Sequence, residues 1–494
     1  MNVATATDFD PAELLGRLDA PISRISSDSR RVGPGDAFAA YPGAHHDGRA
    51  YIPDAIRRGA GAILWETQGF HWNREWKLPH LPIEELKTKL GFIADAVYGH
   101  PSRDLWMVGV TGTNGKTSCA QWIAAGLDAA GRRAAVLGTL GNGLIGALEP
   151  AANTTPDAAL LQHLLADYRA AGAQAAAMEV SSHGIDQGRV NGVAFDVALF
   201  TNLSRDHLDY HTTMAAYGAA KAKLFAWPGL RVGVINADDA FGRSLLDSAR
   251  RHGRKVLSYG FGAADIVGAD LSSLSAGGLT FSVETPWGKG RVTTPLVGAF
   301  NAANLLGVLG VLLVSGVAFD SALTIVAAVE APPGRMQRLG GGDRPLVVID
   351  YAHTPDALDK VLTALRPAVS EGSELIGLFG CGGERDRGKR PEMGRIAGRL
   401  ADRMLVTSDN PRGEDPEAIA SEIVHGIRET GNRRYSVELD RAIAIASAIG
   451  EARRGDVVLL AGKGHETYQE CNGARQPFSD AEHAARALMA WSGK

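Results

Sequence analysis

The chain reads as an α/β protein of three domains, with a doubly wound, mostly parallel sheet and a phosphate-binding loop in the middle one. Three observations predict this. At 494 residues the chain is too long for one core. From about residue 100, apolar strand-like runs alternate with helical stretches, as a parallel sheet covered on both faces requires. The first of those runs, Leu105 to Val110, leads straight into the glycine-rich T-G-T-N-G-K-T-S, Thr111 to Ser118.

That turn has the makings of an anion cradle. Gly112 and Gly115 let the backbone bend so that successive N–H groups point inward. Lys116 is placed to reach β- and γ-phosphates, and the Thr117 hydroxyl to hold Mg²⁺. A helix expected from about Thr117 to Ala130, closed by Gly131, aims its positive end at the same anion. The spacing is G-x-x-G-K-T, with Val110 where the stricter phosphate-loop pattern has its first glycine. The plainer reading is a glycine-rich turn with one exposed lysine, and the position between strand and helix argues against it.

Taken in order, residues 1–98 mix short strands and helices without a phosphate loop of their own. Asp28 to Ala40 reads as a turn entering a strand, followed by the loop P-G-A-H-H-D-G-R and a helix from about Tyr51 to Arg58. Ser27, Ser29, His45 and His46 are there as loop residues, and loop histidines are more often merely solvated. Residues 99–333 carry the expected strands Leu105 to Val110, Ala134 to Leu137, Ala175 to Val180, Val197 to Thr201 and Val232 to Asn236. Around 271–297 the pattern turns to alternating strands with Gly turns, an antiparallel flank, before F-N-A-A-N opens a long apolar helix. Ala331-Pro332-Pro333-Gly334 is a break. Residues 334–494 then repeat the alternation, with a strand at Leu346 to Asp350, a helix from Pro355, and strands near 374–379, 403–407 and 456–461, as in a Rossmann-like domain.

Composition excludes several classes. With 51 Lys+Arg against 55 Asp+Glu, no general nucleic-acid or anionic-membrane surface is indicated. Cys119, Cys381 and Cys471 are odd in number and far apart, which fits a reduced, cytoplasmic protein and not a disulfide framework or structural zinc site. Cys119 reads as a small core residue. The N-terminus lacks a basic stretch followed by an apolar one, so no secretory signal is expected, and Leu305 to Phe319 is too short and interrupted for a membrane span.

Chemistry-bearing residues gather at strand ends, where ligands of open α/β sheets bind. Glu179, Ser181, Ser182 and His183 follow one strand, and T-N-L-S-R-D-H-L-D-Y-H follows the next, so Glu179 and His207 face the same phosphates. Carboxylate, imidazole and the Thr117 hydroxyl make an Mg²⁺ environment, although histidine is an unusual ligand for so hard an ion and His207 also suits a general base. The plain reading of Glu179 is a carboxylate satisfied by a neighbouring lysine. Lys221 and Lys223, on a helix, read from spacing alone as solvated surface charges. In the last domain, S-D-N-P-R (Ser408 to Arg412) offers an arginine fork for a carboxylate, and A-G-K-G-H-E (Ala461 to Glu466) a glutamate for an ammonium. Each alone is also compatible with an ordinary surface turn.

Together T-G-T-N-G-K-T, E-V-S-S-H, T-N-L-S-R-D-H-L-D-Y-H, A-A-K, G-x-F-N-x-x-N, P-G-R-M and D-Y-A-H-T-P, in this order over nearly the whole chain, resemble the Mur ligases, ATP-dependent amide-forming enzymes of peptidoglycan assembly. D-N-P-R with G-K-G-H-E resembles the members that add meso-diaminopimelate to UDP-MurNAc-L-Ala-D-Glu. The resemblance implies a UDP-binding domain (1–98), a central ATPase (99–333) and an amino-acid-binding domain (334–494), in a cytoplasmic monomer with no nucleic-acid partner and no membrane insertion.

It also implies roles. Gly112, Thr113, Asn114, Gly115, Lys116, Thr117 and Ser118 bind ATP phosphates, Asn301 the adenine, and Arg335 and Asp350 the nucleotide across the domain junction. Thr117, Glu179, His207 and Lys221 serve Mg²⁺, Lys221 as a carbamate formed with CO₂, against its surface-lysine reading. Ser27, Ser29, Ala44, His45 and His46 meet the uridine nucleotide. Asn153, Thr154, Thr155, Ser181, Gln187 and Arg189 hold the muramoyl-dipeptide. Arg385, Asp409, Asn410, Pro411, Arg412, Gly462 and Glu466 form the diaminopimelate pocket. Ser27, Glu384 and Ser408 depart from the family pattern.

The nearest rival is the same ligase adding L-lysine, which lacks the distal carboxylate that Arg412 would pair. A folylpolyglutamate synthase would lack the N-terminal domain. A non-catalytic nucleotide-dependent module would have no need of Lys116, Glu179, His207 and Lys221 together.

Overall fold

Residues 9–493 are described by the computed structural model, except 19, 44, 45 and 274–277. Three sheets follow one another along the chain. The first has four parallel strands in sequential order, β1 (Ile25–Ser26), β2 (Ala37–Ala40), β3 (Ala62–Glu66) and β4 (His80–Ile83). Its side chains alternate with period two. Ala37, Ala39, Ala62 and Leu64 pack on the helix Leu86–Val97, while Phe38, Ala40, Ile63 and Trp65 face Phe70, Trp72 and Trp76.

The central sheet has eleven strands: β5 (Trp106–Thr111), β6 (Ala134–Gly138), β7 (Gly141–Leu144), β8 (Ala147–Glu149), β9 (Ala175–Glu179), β10 (Val197–Phe200), β11 (Val232–Asn236), β12 (Val256–Gly260), β13 (Ile266–Ser273), β14 (Leu279–Thr285) and β15 (Gly288–Thr294). Their spatial order is β15-β14-β13-β12-β11-β10-β5-β9-β6-β7-β8, parallel from β13 to β6 and antiparallel at both edges. The flank expected near 271–297 is there, and the hairpin β7–β8 at the opposite edge is a second one. Val108 and Val110 point into a core shared with the helices Lys116–Ala129 and Ala299–Val314, and Met107 into the core of the other face. The apolar stretch 305–319 is the end of one buried helix and the start of a second, Phe319–Ala328. No helix among the described residues is long and apolar enough to cross a membrane.

The last sheet joins β16 (Gln337–Gly340), β17 (Leu346–Asp350), β18 (Leu375–Phe379), β19 (Arg403–Val406), β20 (Tyr435–Val437) and β21 (Val457–Ala461) in the order β16-β17-β21-β18-β19-β20, with only β16 antiparallel. A separate hairpin, β22 (Tyr468–Cys471) and β23 (Ala474–Pro477), follows. The carboxyl ends of β5, β9 and β10 in one sheet and of β17 in the other open onto a common space.

Candidate active site

β5 lies between β9 and β10, so the loop after it is gripped by both neighbours. Thr113 N donates to Asn202 O (2.8 Å) and Asn114 N to Asn202 Oδ1 (2.9 Å), while Thr201 Oγ1 donates to Asn114 O (2.6 Å). Two glycines are required by space as well as by conformation. Gly112 has φ 150° and a Cβ there would stand 1.9 Å from Thr201 Oγ1; Gly115 has φ 83° and a Cβ would stand 2.7 Å from Asn304 Oδ1. Gly115 gives the following helix no side-chain cap, which leaves its first N–H groups for an anion.

Two lysines converge on this loop. Lys116 Nζ donates to Gly112 O and Thr113 O (2.9 and 2.8 Å), and Lys221 Nζ also donates to Gly112 O (2.7 Å) while sitting 4.3 Å from the centre of the Tyr217 ring. Lys221 is 1 % exposed, which corrects the surface-lysine reading. Tyr217, Gly218, Ala220 and Lys221 form the buried face of the helix Met214–Ala222. Burial holds the Lys116 amine below the ordinary lysine value, and burial together with the Lys116 charge holds Lys221 well below it. Lys223, by contrast, pairs with Asp186 at 3.4 Å, partly exposed.

Glu179 is 2 % exposed and is not satisfied by a lysine. Its carboxylate accepts from the Thr117 hydroxyl (2.9 Å) and from Thr139 N (2.7 Å), both neutral donors. Arg335 Nη2 also donates to Thr117 Oγ1 (3.1 Å), and its guanidinium lies 4.5 Å from the Tyr351 ring centre. His207, at φ 54°, meets Asp206 (3.3 Å) and the His183 ring (4.8 Å between centroids). Loss of water around it, against the pull of Asp206 and with the help of the neighbouring positive groups, brings its imidazole down to about 4. Asp350 accepts from Met336 N (2.8 Å), and burial pushes its carboxyl up to about 6.

These groups line one cavity of about 750 Å³. Thr113 to Ser118, Glu179, His207, Lys221, Asn301, Arg335 and Asp350 all open onto it, as do Thr154 and Ser181. Asn304, Asn202, Asp206, Tyr351 and His353 line it too, and sequence reasoning had given none of them a role. Asn301 Nδ2 donates to Val297 O, leaving its carbonyl oxygen free of protein donors among the described residues.

A second group of expected residues bridges the first two sheets. Ser27 Oγ donates to Asp157 Oδ1 (3.0 Å), so its hydroxyl, not only its backbone, has work in the fold. Tyr41 beside them is pushed up to about 12 by burial and by Asp157. Arg189 forks onto Gln187 Oε1 (2.9 and 2.7 Å) and reaches Thr155 O (2.9 Å); Thr155 Oγ1 meets Ser181 Oγ (3.0 Å). Asn153 is exposed and Ser29 buried. His46 O accepts from Gly43 N (2.8 Å), and Ala44 and His45 lie outside the described residues.

The residues expected to take an amino acid form a third cluster, apart from that cavity's lining. Lys463, 0 % exposed, is its centre: Nζ donates to Asn410 Oδ1 (3.0 Å) and Glu466 Oε2 (3.0 Å) and lies 3.7 Å from Asp409 Oδ1. Asn410 Oδ1 also accepts from Glu470 N, and its Nδ2 donates to Glu466 Oε2 (2.8 Å), so the amide has one sensible orientation. Glu466 is therefore partly neutralised from within. Asp409 Oδ1 is buried without a hydrogen-bond donor, an acceptor left for something else. Arg412, at φ 51°, donates through Nη1 to Gly383 O (2.7 Å), and its backbone pairs with the β22–β23 hairpin. Arg385 is exposed near Gly382, and Pro411 and Gly462 are buried. Sequence reasoning missed Lys463, though a lysine between two glycines within the motif was a signal. It also missed the buried Arg390, which holds Glu414 and Glu422 (3.0 Å each) and for which no local signal existed.

Among the described residues, no three His, Cys, Asp or Glu side chains are grouped for a metal. A cation at Glu179 would rely on hydroxyl and imidazole partners. Its carboxylate, buried with neutral donors only, fits one.

Comparison with known proteins places this arrangement. The description Mur ligase family, catalytic domain matches residues 21–98; Mur ligase middle domain matches 110–312; and Mur ligase, glutamate ligase domain matches 334–464. A protein of Chromobacterium violaceum named UDP-N-acetylmuramoyl-L-alanyl-D-glutamate--2,6-diaminopimelate ligase is 52 % identical over 98 % of this chain and 97 % of its own length. The protein of that name from Pseudomonas aeruginosa is 50 % identical over 96 % of both chains. A solved structure with the same title is 40 % identical, covers 95 % of each chain and superposes with a TM-score of 0.67. MurF from Acinetobacter baumannii, 18 % identical over 94 % of this chain and 92 % of its own with a TM-score of 0.66, shares the fold.

Proposed function

This chain belongs to the Mur ligase family, and from that premise we propose that it joins meso-diaminopimelate to the D-glutamyl carboxylate of UDP-MurNAc-L-Ala-D-Glu at the expense of ATP. One observation carries the reading. The phosphate loop, Glu179, Lys221, Arg335 and Asp350 share a single cavity with Thr154 and Ser181, which supports a site where a nucleotide would meet a second substrate.

The loop N–H groups and Lys116 cradle the phosphates, and their fixed positive charge favours the γ-phosphoryl group as it leaves ADP. The glutamyl carboxylate attacks that group and becomes an acyl phosphate. The amine of the acceptor attacks the acyl carbon, forms the amide, and releases phosphate and a proton. No protein nucleophile is required. Arg335, reaching Thr117 from the last domain, ties the acceptor side of the molecule to the phosphate side.

Mg²⁺ held by Thr117, Glu179, His207 and Lys221 would supply the remaining charge neutralisation at the phosphates. Lys221 fits this only as a carbamate: burial disfavours the charged form of its amine, and the uncharged amine adds CO₂ and releases a proton to become an oxygen-bearing anion. Residues 1–98 would take the uridine nucleotide, with Ser27, Ser29 and the Ala44 to His46 loop, and residues 334–494 the acceptor amino acid, with Asp409, Asn410, Arg412 and Glu466. Three free cysteines and the use of ATP suit the cytoplasm.

The test is phosphate release with Mg-ATP and UDP-MurNAc-L-Ala-D-Glu, comparing meso-diaminopimelate with L-lysine, with product mass as the readout. Tripeptide formed only with diaminopimelate supports the full reading. A preference for lysine keeps the ligase and removes the role of Arg412; ATP binding without product from either overturns both. Dependence of the rate on bicarbonate, with loss of it in Lys221→Ala, tests the carbamate separately.

A further inference from the structure

A buried ion pair stands behind the acceptor cluster without touching it. The side chains of Arg441 and Asp480 are each 0 % exposed, and they pair bidentately, Nε to Oδ1 at 2.8 Å and Nη2 to Oδ2 at 2.7 Å. Burying such a pair costs as much desolvation as it returns, and apolar replacements of both partners are often neutral or stabilising. Stability is therefore a poor account of it. The placement of Arg441 adds to the puzzle, because it is the first residue of the helix Arg441–Glu451, where the helix dipole disfavours a cation. Asp480, the first residue of the helix Asp480–Ala490, is where the dipole favours an anion.

What this arginine does, and an apolar residue would not, is donate onward. Nη2 also reaches Ala461 O at 3.0 Å, and Nη1 reaches Ser408 O at the longer distance of 3.4 Å. Ala461 ends β21 and is followed by Gly462, Lys463 and Glu466; Ser408 follows β19 and precedes Asp409, Asn410 and Arg412. Those two strands are not neighbours, for β18 runs between them. No ladder hydrogen bond sets the distance between their outgoing loops. One guanidinium spans the gap, and Asp480, from a third element, holds it in plane. The Lys463 contacts join the same two loops on the pocket side, and the charges of Asp409 and Glu466 are felt at Arg441.

We propose that Arg441, oriented by Asp480, is a positioning residue for the acceptor amino acid: it clasps the D-N-P-R and G-K-G-H-E loops at a fixed separation, and selection of the acceptor depends on that separation. This rests on the reading of those loops as the acceptor site.

The test uses the full-length protein and three variants: Arg441→Lys, Arg441→Met, and the double variant Arg441→Met with Asp480→Leu. The double variant removes both charges at once and so avoids an orphaned buried carboxylate, which by itself could unfold the single variant. KM is measured separately for diaminopimelate, ATP and UDP-MurNAc-L-Ala-D-Glu, alongside the thermal midpoint. The clasp predicts that the double variant keeps a near-native midpoint and near-native KM for ATP and UDP-dipeptide, while KM for diaminopimelate rises at least about tenfold. Arg441→Lys, which keeps a charge but only part of the fork, is expected to recover most of that loss. A stable double variant whose KM for diaminopimelate is unchanged overturns the proposal, as does an equal rise in all three KM values. If the unmodified protein makes no product with diaminopimelate, the acceptor-site reading falls first and the proposal falls with it.

Discussion

The nucleotide cavity and the acceptor cluster are built from similar charged residues in opposite ways. Around the phosphate loop, Lys116 and Lys221 donate only to backbone carbonyls, Arg335 leans on a hydroxyl and a ring, and Glu179 accepts only from neutral groups. In the acceptor cluster Lys463 meets Glu466, and around it in the same sheet's domain Arg441 meets Asp480 and Arg390 meets Glu414 and Glu422. One region leaves Lys116 and Arg335 without a carboxylate partner among the described residues, free for a polyanionic ligand. The other is neutralised in advance and offers a zwitterion a preset shape. Charge left open suits electrostatic stabilisation of a transferring phosphoryl group, and charge already paired suits discrimination between acceptors.

The largest effect should come from the open side. Lys116→Met is expected to lower phosphate release by about 10³-fold or more, since Lys116 makes no ion pair among the described residues and its charge is left for the ligand. A steady-state rate within tenfold of the original would show that Arg335 and the loop N–H groups substitute for it.

Stability should separate the two regions next. Lys463→Met leaves the buried Asp409 and the half-buried Glu466 without their cation and is expected to cost about 3 kcal/mol in denaturant unfolding. Lys221→Met removes a desolvated amine that makes no ion pair among the described residues, so unfolding should be no easier than in the original, even though activity is lost. Equal destabilisation by both changes would erase the distinction between prepaired and open charge.

A smaller effect is pH-dependent. Asp350 is pushed up to about 6 by burial, from an ordinary value of 3.8. Between those values the folded protein keeps a proton that the unfolded chain has released, so unfolding becomes easier as pH rises through this window. Asp350→Asn does not titrate. Relative to its standing at pH 3, it should therefore gain on the original with rising pH, by about 3 kcal/mol at pH 7.5 and by about half of that at pH 5. A gap that is constant with pH would mean that Arg335 keeps the carboxylate ionised throughout.

How much of this was legible in the sequence depends on how local each feature is. The phosphate loop is a backbone structure written in consecutive residues, and Glu179 and His207 are marked by standing at the ends of apolar runs. Lys221 looked solvated because one lysine says little; Tyr217 and Gly218 on the same helical face were the faint sign of burial. Ser27 and Asp157 are 130 residues apart and Arg441 and Asp480 39 apart, and no spacing rule pairs residues of such separate elements. The edge hairpin β7–β8 escaped because its strands are four and three residues long and the first is half glycine, so neither shows an apolar period. The ordered motifs, carried as a family resemblance, supplied roles that periodicity alone did not.

The two regions meet at one further contact, which should matter least. Asn114 in the phosphate loop donates to Asp356 Oδ2 at 2.9 Å, and the same carboxylate pairs with Lys360 at 2.9 Å. Asp356 opens the helix Pro355–Leu365 of the last domain, so this contact links the loop to the acceptor side. Its charge is answered by Lys360, and both side chains are substantially exposed, so the pair itself contributes little. Asp356→Ala is expected to change kcat/KM for ATP by no more than about threefold, below 1 kcal/mol, because the Asn202 and Thr201 contacts continue to shape the loop. A loss of 10²-fold would mean that the loop is ordered from the last domain, not from its own sheet. Open charge on one side and paired charge on the other would then be two parts of a single device.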